Sequence, residues 1–165
     1  QAAIGLLGAE VYDLQRDVLK SLAFAAFGQK KAFWPDSTPT SFDKQNLRDG
    51  HYTVWSPTVY LTKATAGVPD NAHAAYVIDL ILGKTVTPTP NFDSVEIVVD
   101  NGLVPDCAMG VQRAYEGGPL SLYSPAEPCS CQYESLVGTT SCTACDEESD
   151  CAGTEQCSHG FCEAN

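Results

Sequence analysis

The distribution of cysteine constrains this chain more than any other feature of its sequence. All eight cysteines of the 165-residue chain lie between Cys107 and Cys162, and the first 106 residues contain none. An even number of cysteines in a short, loop-like stretch is typical of a disulfide framework in an exported protein. We therefore expect four disulfides and an extracytoplasmic location, in the periplasm, on the cell surface or outside the cell. The eight residues are Cys107, Cys129, Cys131, Cys142, Cys145, Cys151, Cys157 and Cys162.

Zinc binding is the alternative use of these cysteines. Cys142-Thr-Ala-Cys145 has the spacing of a zinc knuckle, and Cys129 and Cys131 could add thiolates. A zinc ribbon normally repeats the C-x-x-C spacing, which this chain does not do. The acidic segment 146–150 also places hard oxygen ligands beside the soft sulfurs, and it lacks the spacing of an EF-hand calcium loop. We therefore expect no metal site and no cofactor.

Charge argues against a nucleic-acid partner, and hydropathy argues against a membrane-spanning segment. The chain has 9 Lys and Arg residues against 21 Asp and Glu residues, a formal net charge of −12, so nucleic acid is not an expected partner. A bilayer-spanning helix needs about 20 continuous apolar residues. The best candidate, residues 14–27, is interrupted by charged side chains. The sequence therefore predicts no transmembrane segment.

The sequence contains no recognisable catalytic motif. His51, His73 and His159 are far apart in the chain, and no G-x-S-x-G, H-E-x-x-H, P-loop or G-x-G-x-x-G string is present. We therefore expect a protein that is not an enzyme and has no catalytic residues.

Periodicity in the first part of the chain predicts strands and one long helix. Residues 4–12 form an apolar run typical of a buried strand. Asp13 is placed to cap a helix over residues 14–27, which Gly28 would end. Two further strands are expected at residues 51–55 and 59–61.

The later part of the chain predicts two helices and a hairpin. Asp70 is placed to cap a helix over residues 71–82, and Asp93-Ser-Val-Glu96 has the form of a capping box for a short helix ending near Gly102. The β-branched residues 95–99 make a strand the alternative there. Residues 108–115 and 120–123 predict a β-hairpin. The tail beyond residue 125 shows little periodicity, so little regular structure is expected in it.

The body of the chain resembles the second lobe of a type II periplasmic solute-binding protein, the class that accompanies ABC transporters. The resemblance covers residues 1–105 and rests on the apolar run 4–10, Phe33-Trp-Pro-Asp and Asn46-Leu-Arg-Asp-Gly-His-Tyr52. It implies an α/β (α+β) lobe at residues 1–106, followed by a hairpin and disulfide-linked connector at 107–140. It also implies that a companion chain, or an N-terminal lobe missing from this chain, covers the apolar run.

The end of the chain resembles the small Cys-rich modules that terminate many exported and surface lipoproteins of deltaproteobacteria such as myxobacteria. The pattern is Cys145-x5-Cys151-x5-Cys157-x4-Cys162, within an acidic Cys-rich module at residues 141–165. We expect this module to pair Cys145 with Cys157 and Cys151 with Cys162. The other four cysteines allow three pairings, of which Cys107 with Cys129 and Cys131 with Cys142 is favoured.

In a solute-binding interpretation, the candidate ligand site lies around the segment 46–52. Arg48 would hold an anionic or polar group of a small molecule or peptide, with Trp34 or Tyr52 stacking on it. The alternative is that Arg48 and Asp49 staple a turn while Tyr52 enters the core. The candidate residues are Trp34, Asn46, Arg48, Asp49, His51 and Tyr52. Two functions follow: an exported solute-binding-like protein, or a surface structural or adhesive protein that uses the same fold as a scaffold and the tail for docking.

Overall fold

A computed structural model of the chain describes residues 4–164 and gives a mixed α+β fold of small elements. Its α-helices are α1 Ala9–Asp13, α2 Gln45–Arg48, α3 Ala72–Ile81, α4 Ser94–Asp100 and α5 Ser130–Leu136. Its strands are β1 Ala64–Thr65, β2 Val68–Pro69, β3 Val111–Arg113, β4 Leu120–Leu122, β5 Gln156–Ser158 and β6 Phe161–Glu163. They form three separate antiparallel pairs, β1 with β2, β3 with β4 and β5 with β6. None of the described helices has the length and apolar character needed to cross a membrane.

All four disulfides expected from the sequence are present, with the expected pairings. They are Cys107–Cys129, Cys131–Cys142, Cys145–Cys157 and Cys151–Cys162. The Cys-rich character of the fold is therefore confirmed, and four disulfides favour an oxidising compartment.

The hydrophobic core is small and lies in the second half of the chain. It contains Val95, Cys107, Ala108, Cys129 and Tyr133, flanked by the half-buried residues Val99, Val104 and Val137. The Cys107–Cys129 disulfide is inside this core, where it joins the start of the connector to α5. The core thus extends across residue 106, and the boundaries at residues 106 and 140 stay predictions.

Three elements expected in the later part of the chain are confirmed, with small shifts. Asn71 rather than Asp70 caps α3, because its side-chain oxygen accepts hydrogen bonds from the backbone N–H groups of the first turn. Asp93 caps α4 in the same way. This cap and the burial of Val95 favour helix over strand in a β-branched segment. The hairpin pairs Val111 with Leu122 and is shorter than the sequence suggested.

Two expectations for the first part of the chain are wrong. Residues 4–12 form no strand; Ile4 and Leu6 are 85% and 92% exposed, and the chain turns into α1 instead. A strand needs a neighbour to pair its backbone groups, and no described strand lies beside it. Residues 14–27 form turns and extended chain rather than a helix. An amphipathic helix of this length is stabilised by packing its apolar face, and that face has no partner here.

The strands expected at residues 51–55 and 59–61 are also wrong, and several elements, including the short helix α2, were not predicted. The strand pairing in this region is β1 with β2, closed by Ala66 and Gly67 with positive φ angles of 51° and 82°. Helix α5 and the β5–β6 hairpin were not predicted either, so the expectation of a tail with little regular structure is corrected. His159 and Gly160 turn that hairpin, again with two positive φ angles. Such turns match the twist of paired strands.

Candidate functional site: two grooves with unpartnered polar atoms

A buried ion network organises the first part of the chain. Asp36, 1% exposed, contacts the Arg16 guanidinium at 2.9 Å and the Lys44 ammonium at 3.2 Å. Asp13 contacts the same two cations, with 2.8 Å to Lys44 Nζ. Arg16 also lies over the Phe42 ring, 3.9 Å from its centroid. Two acids and two bases therefore satisfy one another, and they fix the loop that leads into α2.

A third carboxylate, that of Asp43, lies beside this network and is held in its ionised form. Asp43 accepts hydrogen bonds from the Ser37 backbone N–H at 2.8 Å and from the Ser37 hydroxyl. Burial works against the charge, but these hydrogen bonds and one from the backbone of Gln45 lower the pKa of Asp43. The group therefore serves as a structural anchor of the loop.

Arg48 and Asn46, two of the predicted ligand residues, point into the protein. Arg48 is 4% exposed; its Nε donates to the Ala108 carbonyl at 2.9 Å, and its guanidinium contacts Glu134 at 3.2 Å. Its Cζ atom also lies 4.7 Å from the centroid of the Tyr133 ring. Asn46 donates to the Asp36 carbonyl at 2.6 Å. The Arg48 contacts join α2 to the core.

The other four predicted ligand residues lie near the surface. The Asp49 carboxylate is 2.7 Å from His51 Nδ1, and the imidazole stacks on Phe33 with a centroid distance of 4.8 Å. Tyr52 is half-buried against Phe24, and Trp34 is also half-buried. None of the six lines either groove described below. Their role in binding stays a prediction.

The first groove, which we call the junction groove, lies where the Cys-rich tail meets α3 and α4. It is open and has a volume of about 580 Å³. The His159 side chain comes from the tip of the tail hairpin, Gln132 comes from α5, and Phe92 and Asp93 come from the loop before α4. The rest of the wall is formed by Leu80, Lys84, Thr85, Val86, Thr89, Pro90, Asn91 and Ser94.

Hydrogen bonds fix part of the junction groove. Gln132 donates through Nε2 to Asp93, which orients its amide. The Thr85 backbone N–H donates to Glu127 at 2.7 Å. Hydrogen bonding from the Thr85 side chain and backbone lowers the pKa of Glu127, against the opposing effect of burial. The lining itself includes the Asp93 carboxylate and Lys84, and most of its remaining polar groups are neutral.

The second groove, which we call the hairpin groove, lies between residues 53–56 and the β3–β4 hairpin. Its volume is about 570 Å³, and it is lined by Phe24, Thr53, Val54, Trp55, Ser56, Arg113, Glu116 and Gly117. Arg113 Nη2 donates to the Thr53 carbonyl at 2.7 Å, and Nη1 donates to the Gly118 carbonyl. The guanidinium carbon is 4.9 Å from the centroid of the Trp55 ring system. Arg113 therefore fastens the hairpin to the segment opposite and forms the groove wall with Trp55.

Four buried side-chain atoms of residues 4–164 have no hydrogen-bond partner, and they fall two in each groove. Gln132 Oε1 and His159 Nε2 belong to the junction groove, and Trp55 Nε1 and Arg113 Nε belong to the hairpin groove. A buried polar atom without a partner costs about 1–3 kcal/mol. Such atoms are uncommon in folded proteins, so their grouping at two concave surfaces marks those surfaces as candidate binding sites.

Sequence reasoning missed all four of these residues as site candidates. Trp55 lies in a segment that was predicted only as a strand, and Gln132 lies on a helix that was not predicted. A signal for His159 did exist, because a His-Gly pair between Cys157 and Cys162 has the form of a hairpin turn. No local pattern identifies Arg113 before the hairpin is placed opposite residues 53–55.

The sulfurs of the tail form a compact group. The Sγ atoms of Cys145, Cys151 and Cys157 lie within 4.8 Å of one another, because two disulfides are side by side. Zinc takes the deprotonated thiolate as its ligand. Each of these three sulfurs is instead part of an S–S bond.

His51 and Asp49 form the histidine–carboxylate pair most like part of a catalytic triad. In a triad, the other ring nitrogen of the histidine bonds a serine or cysteine nucleophile. Within residues 4–164, His51 makes no hydrogen bond to a serine or cysteine.

Comparison with known proteins adds no relative. No protein-family model matches the chain, and neither a curated protein nor a solved structure matches it. The proposed function therefore rests on the grooves and the disulfides.

Proposed function

We propose that this chain is an exported, non-catalytic ligand-binding protein of the solute-binding type, with the junction groove and the hairpin groove as its binding surfaces. The observation that supports the proposal is the grouping of the four unpartnered polar atoms, two in each groove. The four atoms are buried, so a ligand with complementary groups would pair with them only where a covering side chain moves aside. Export is supported by the four disulfides.

The Cys-rich tail has a defined role in this proposal. The tail hairpin supplies His159 to the junction groove, and the Cys145–Cys157 and Cys151–Cys162 disulfides hold that hairpin in shape. Glu163, 3% exposed, accepts a hydrogen bond from the Cys131 backbone N–H at 2.6 Å and so docks the tail on α5. The disulfides then keep one wall of a binding site in place, in addition to stabilising the fold.

Ligand capture from a small-molecule extract tests the proposed function. The intact chain would be incubated with the extract, desalted and denatured, and the released compounds identified by mass spectrometry. We expect Thr89→Trp to fill the junction groove and Ser56→Trp to fill the hairpin groove, because both residues are exposed and line those surfaces.

The control is Thr154→Trp, at another exposed position that lines neither groove. Capture by the intact chain and by Thr154→Trp, with selective losses in the two groove variants, would support the proposal. Capture that is the same in all four proteins, or no capture at all, would overturn it.

A surface structural or adhesive role is the second candidate, and one observation favours it. Large apolar side chains of the first region are left uncovered: Ile4, Leu6, Leu7, Leu14, Val18, Leu22 and Phe27 are all exposed. Apolar surface of this extent marks a protein contact. In this second proposal, a companion chain covers residues 4–27.

Sedimentation velocity of the intact chain tests for that companion surface. We expect self-association, or capture of an added companion chain, and we expect Leu6→Glu with Leu14→Glu to abolish either. A monodisperse monomer, folded by circular dichroism and unaffected by the two substitutions, would contradict it.

A further inference from the structure

The tail brings three cysteine sulfurs close enough together to surround one metal ion. The Sγ atoms of Cys145, Cys151 and Cys157 lie within 4.8 Å of one another. In a tetrahedral zinc site the Zn–S bond is about 2.3 Å long, which separates two sulfur ligands by about 3.8 Å. Once the S–S bonds are opened, shifts of about 1 Å for each sulfur would reach this spacing.

Cys162 supplies a fourth sulfur beside these three. It is bonded to Cys151, and it lies directly opposite Cys157 in the β5–β6 pair. Residues directly opposite each other in an antiparallel pair project from the same face of the sheet, so the two side chains lie side by side. Four cysteines around one ion are a common ligand set of structural zinc sites.

Backbone hydrogen bonds arrange this part of the tail independently of the S–S bonds. The Cys145 N–H donates to the Gly160 carbonyl at 2.9 Å, and the Cys162 N–H donates to the Thr143 carbonyl at 2.9 Å. Among residues 4–164, however, the hydrophobic core includes nothing beyond Val137. A segment with so little core needs a cross-link to stay folded, and a metal ion can serve as that cross-link.

The carboxylates of the same segment are bonded to the backbone. Asp150 accepts hydrogen bonds from the N–H groups of Asp146 and Glu147 at 2.9 and 3.1 Å. Glu148 accepts one from the Cys157 N–H at 2.9 Å. These oxygens therefore support the backbone around the sulfurs, while their negative charge attracts a divalent cation.

We propose that the reduced tail binds one zinc ion through four thiolates, those of Cys145, Cys151, Cys157 and Cys162. Each of the two disulfides takes two electrons and two protons from a dithiol, which is itself oxidised to a disulfide. Zinc then replaces the protons of the four thiols, and the metal cross-links the tail in place of the S–S bonds. The site goes beyond the proposed function, because none of its four ligands lines either groove.

This ligand set differs from the zinc knuckle considered in the sequence analysis. Cys142 has the C-x-x-C spacing with Cys145, but it is bonded to Cys131 and lies outside the group of three close sulfurs. Cys142 therefore distinguishes the two possible sites in an experiment.

Zinc-dependent protection from alkylation tests the inference in the unmodified chain. The chain would be reduced with a phosphine, treated with iodoacetamide in the presence or absence of zinc, and mapped by peptide mass spectrometry. Because the free thiolate is the nucleophile, we expect zinc to slow alkylation of its four ligands by about tenfold or more. Alkylation of Cys142 should change far less.

Cobalt binding gives a second readout, because tetrahedral cobalt thiolates absorb visible light. Cys145→Ser/Cys157→Ser should weaken cobalt binding to the reduced chain by about a hundredfold or more, since it removes two ligands. Cys131→Ser/Cys142→Ser is the matched control, because the two disulfides have similar sequence separations of 12 and 11 residues. It should bind cobalt as the parent chain does.

Three results would overturn the inference. Protection centred on Cys142 and Cys145 would replace the proposed ligand set with the zinc knuckle. Equal zinc binding by the oxidised and reduced chains would assign the metal to carboxylates. Absence of zinc-dependent protection in the reduced chain would reject the site altogether. The proposed function is independent of these results, because it is tested with the disulfides intact.

Discussion

Two regions of this chain, residues 4–61 and residues 94–163, are stabilised in different ways. Residues 4–61 contain no cysteine and leave large apolar side chains exposed, and the most buried side chains there belong to charged residues such as Asp36 and Lys44. Residues 94–163 contain all four disulfides and the hydrophobic core. One region is organised by an ion network, and the other by cross-links around a small apolar centre.

The two regions should therefore differ in which substitutions destabilise them. A buried ion pair is expensive to desolvate, so its value depends on every partner remaining in place. A disulfide acts mainly on the unfolded chain and tolerates change around it. The hairpin groove lies between the two regions, with Trp55 on one side and Arg113 on the other, whereas the junction groove has its walls in residues 80–159.

Removing Asp36 should have the largest effect on stability. Asp36→Ala leaves Arg16 and Lys44 sharing one carboxylate and removes the acceptor of the Lys44 backbone N–H, which is 2.9 Å away. Loss of one member of a buried charge set costs about 3–5 kcal/mol. Urea unfolding of both proteins would measure it.

The matched control is Asp79→Ala, which breaks the exposed pair of Asp79 with Lys84. An exposed pair is worth about 1 kcal/mol or less. Equal losses for the two variants would show that the network in the first region does not behave as a buried one.

Removing single disulfides should have the next largest effect. Loop-closure entropy gives about 3 kcal/mol for loops of these lengths. The Cys107→Ser/Cys129→Ser variant should exceed this, because it also disturbs core packing around Val95 and Tyr133. The Cys145→Ser/Cys157→Ser variant should stay near it.

Both disulfide variants would be compared in guanidinium unfolding under non-reducing conditions. A loss for Cys107→Ser/Cys129→Ser that is no greater than the loss for the tail variant would contradict the location of the core. It would also remove the contrast between a cross-link inside the hydrophobic core and one in the tail.

Removing the contact that docks the tail should have a smaller effect. Glu163→Ala leaves the buried Cys131 N–H without an acceptor, at a cost of about 1–3 kcal/mol. Glu163→Gln keeps an acceptor oxygen and should lose much less. If both variants lost the same free energy, then the Glu163 contact would not hold the tail on α5.

Ionisation of Glu163 and Asp43 should give the smallest effects, with opposite signs. Burial raises the pKa of Glu163, so its contribution is fully present below the unfolded pKa and declines as pH rises through the folded value. Asp43 has a lowered pKa, so its contribution is present above the unfolded pKa and is lost as pH falls through the folded value.

Unfolding free energies of Glu163→Gln and Asp43→Asn, each measured across the acid range against the parent chain, would separate the two groups. The difference between Asp43→Asn and the parent should shrink as pH falls. The free energy of Glu163→Gln relative to the parent should instead rise as pH increases through the folded pKa of Glu163. Differences that do not change with pH would contradict both assignments.

The sequence predicted the cross-linked region far better than the ion-paired one. Cysteine spacing and the Asp93 cap are local signals, and both led to the observed structure. The helix expected at residues 14–27 failed because periodicity records which side chains are apolar, and it does not show whether a partner surface exists. Long-range ion pairs such as Arg16 with Asp36 leave no pattern in the local sequence. In the structure, Arg16 makes this pair within the segment that was expected to be a helix.

Prediction of the candidate site met the same limit, because contacts between distant segments leave no pattern in the local sequence. Arg48 was predicted as a ligand residue, and its distant partners at Ala108 and Glu134 are not readable from the segment 46–52. The unpartnered atoms in the two grooves depend on which groups are buried together. That property appears only after the chain is folded.

Peptide-resolved hydrogen exchange, with and without a phosphine reductant, tests most directly whether the two regions are held by different forces. With reductant, we expect residues 130–163 to lose protection. The segment 35–48, whose amides bond to Asp36, Asp43 and Pro35, should keep it. Simultaneous loss of protection in both segments would contradict the distinction and show that the disulfides hold the entire chain.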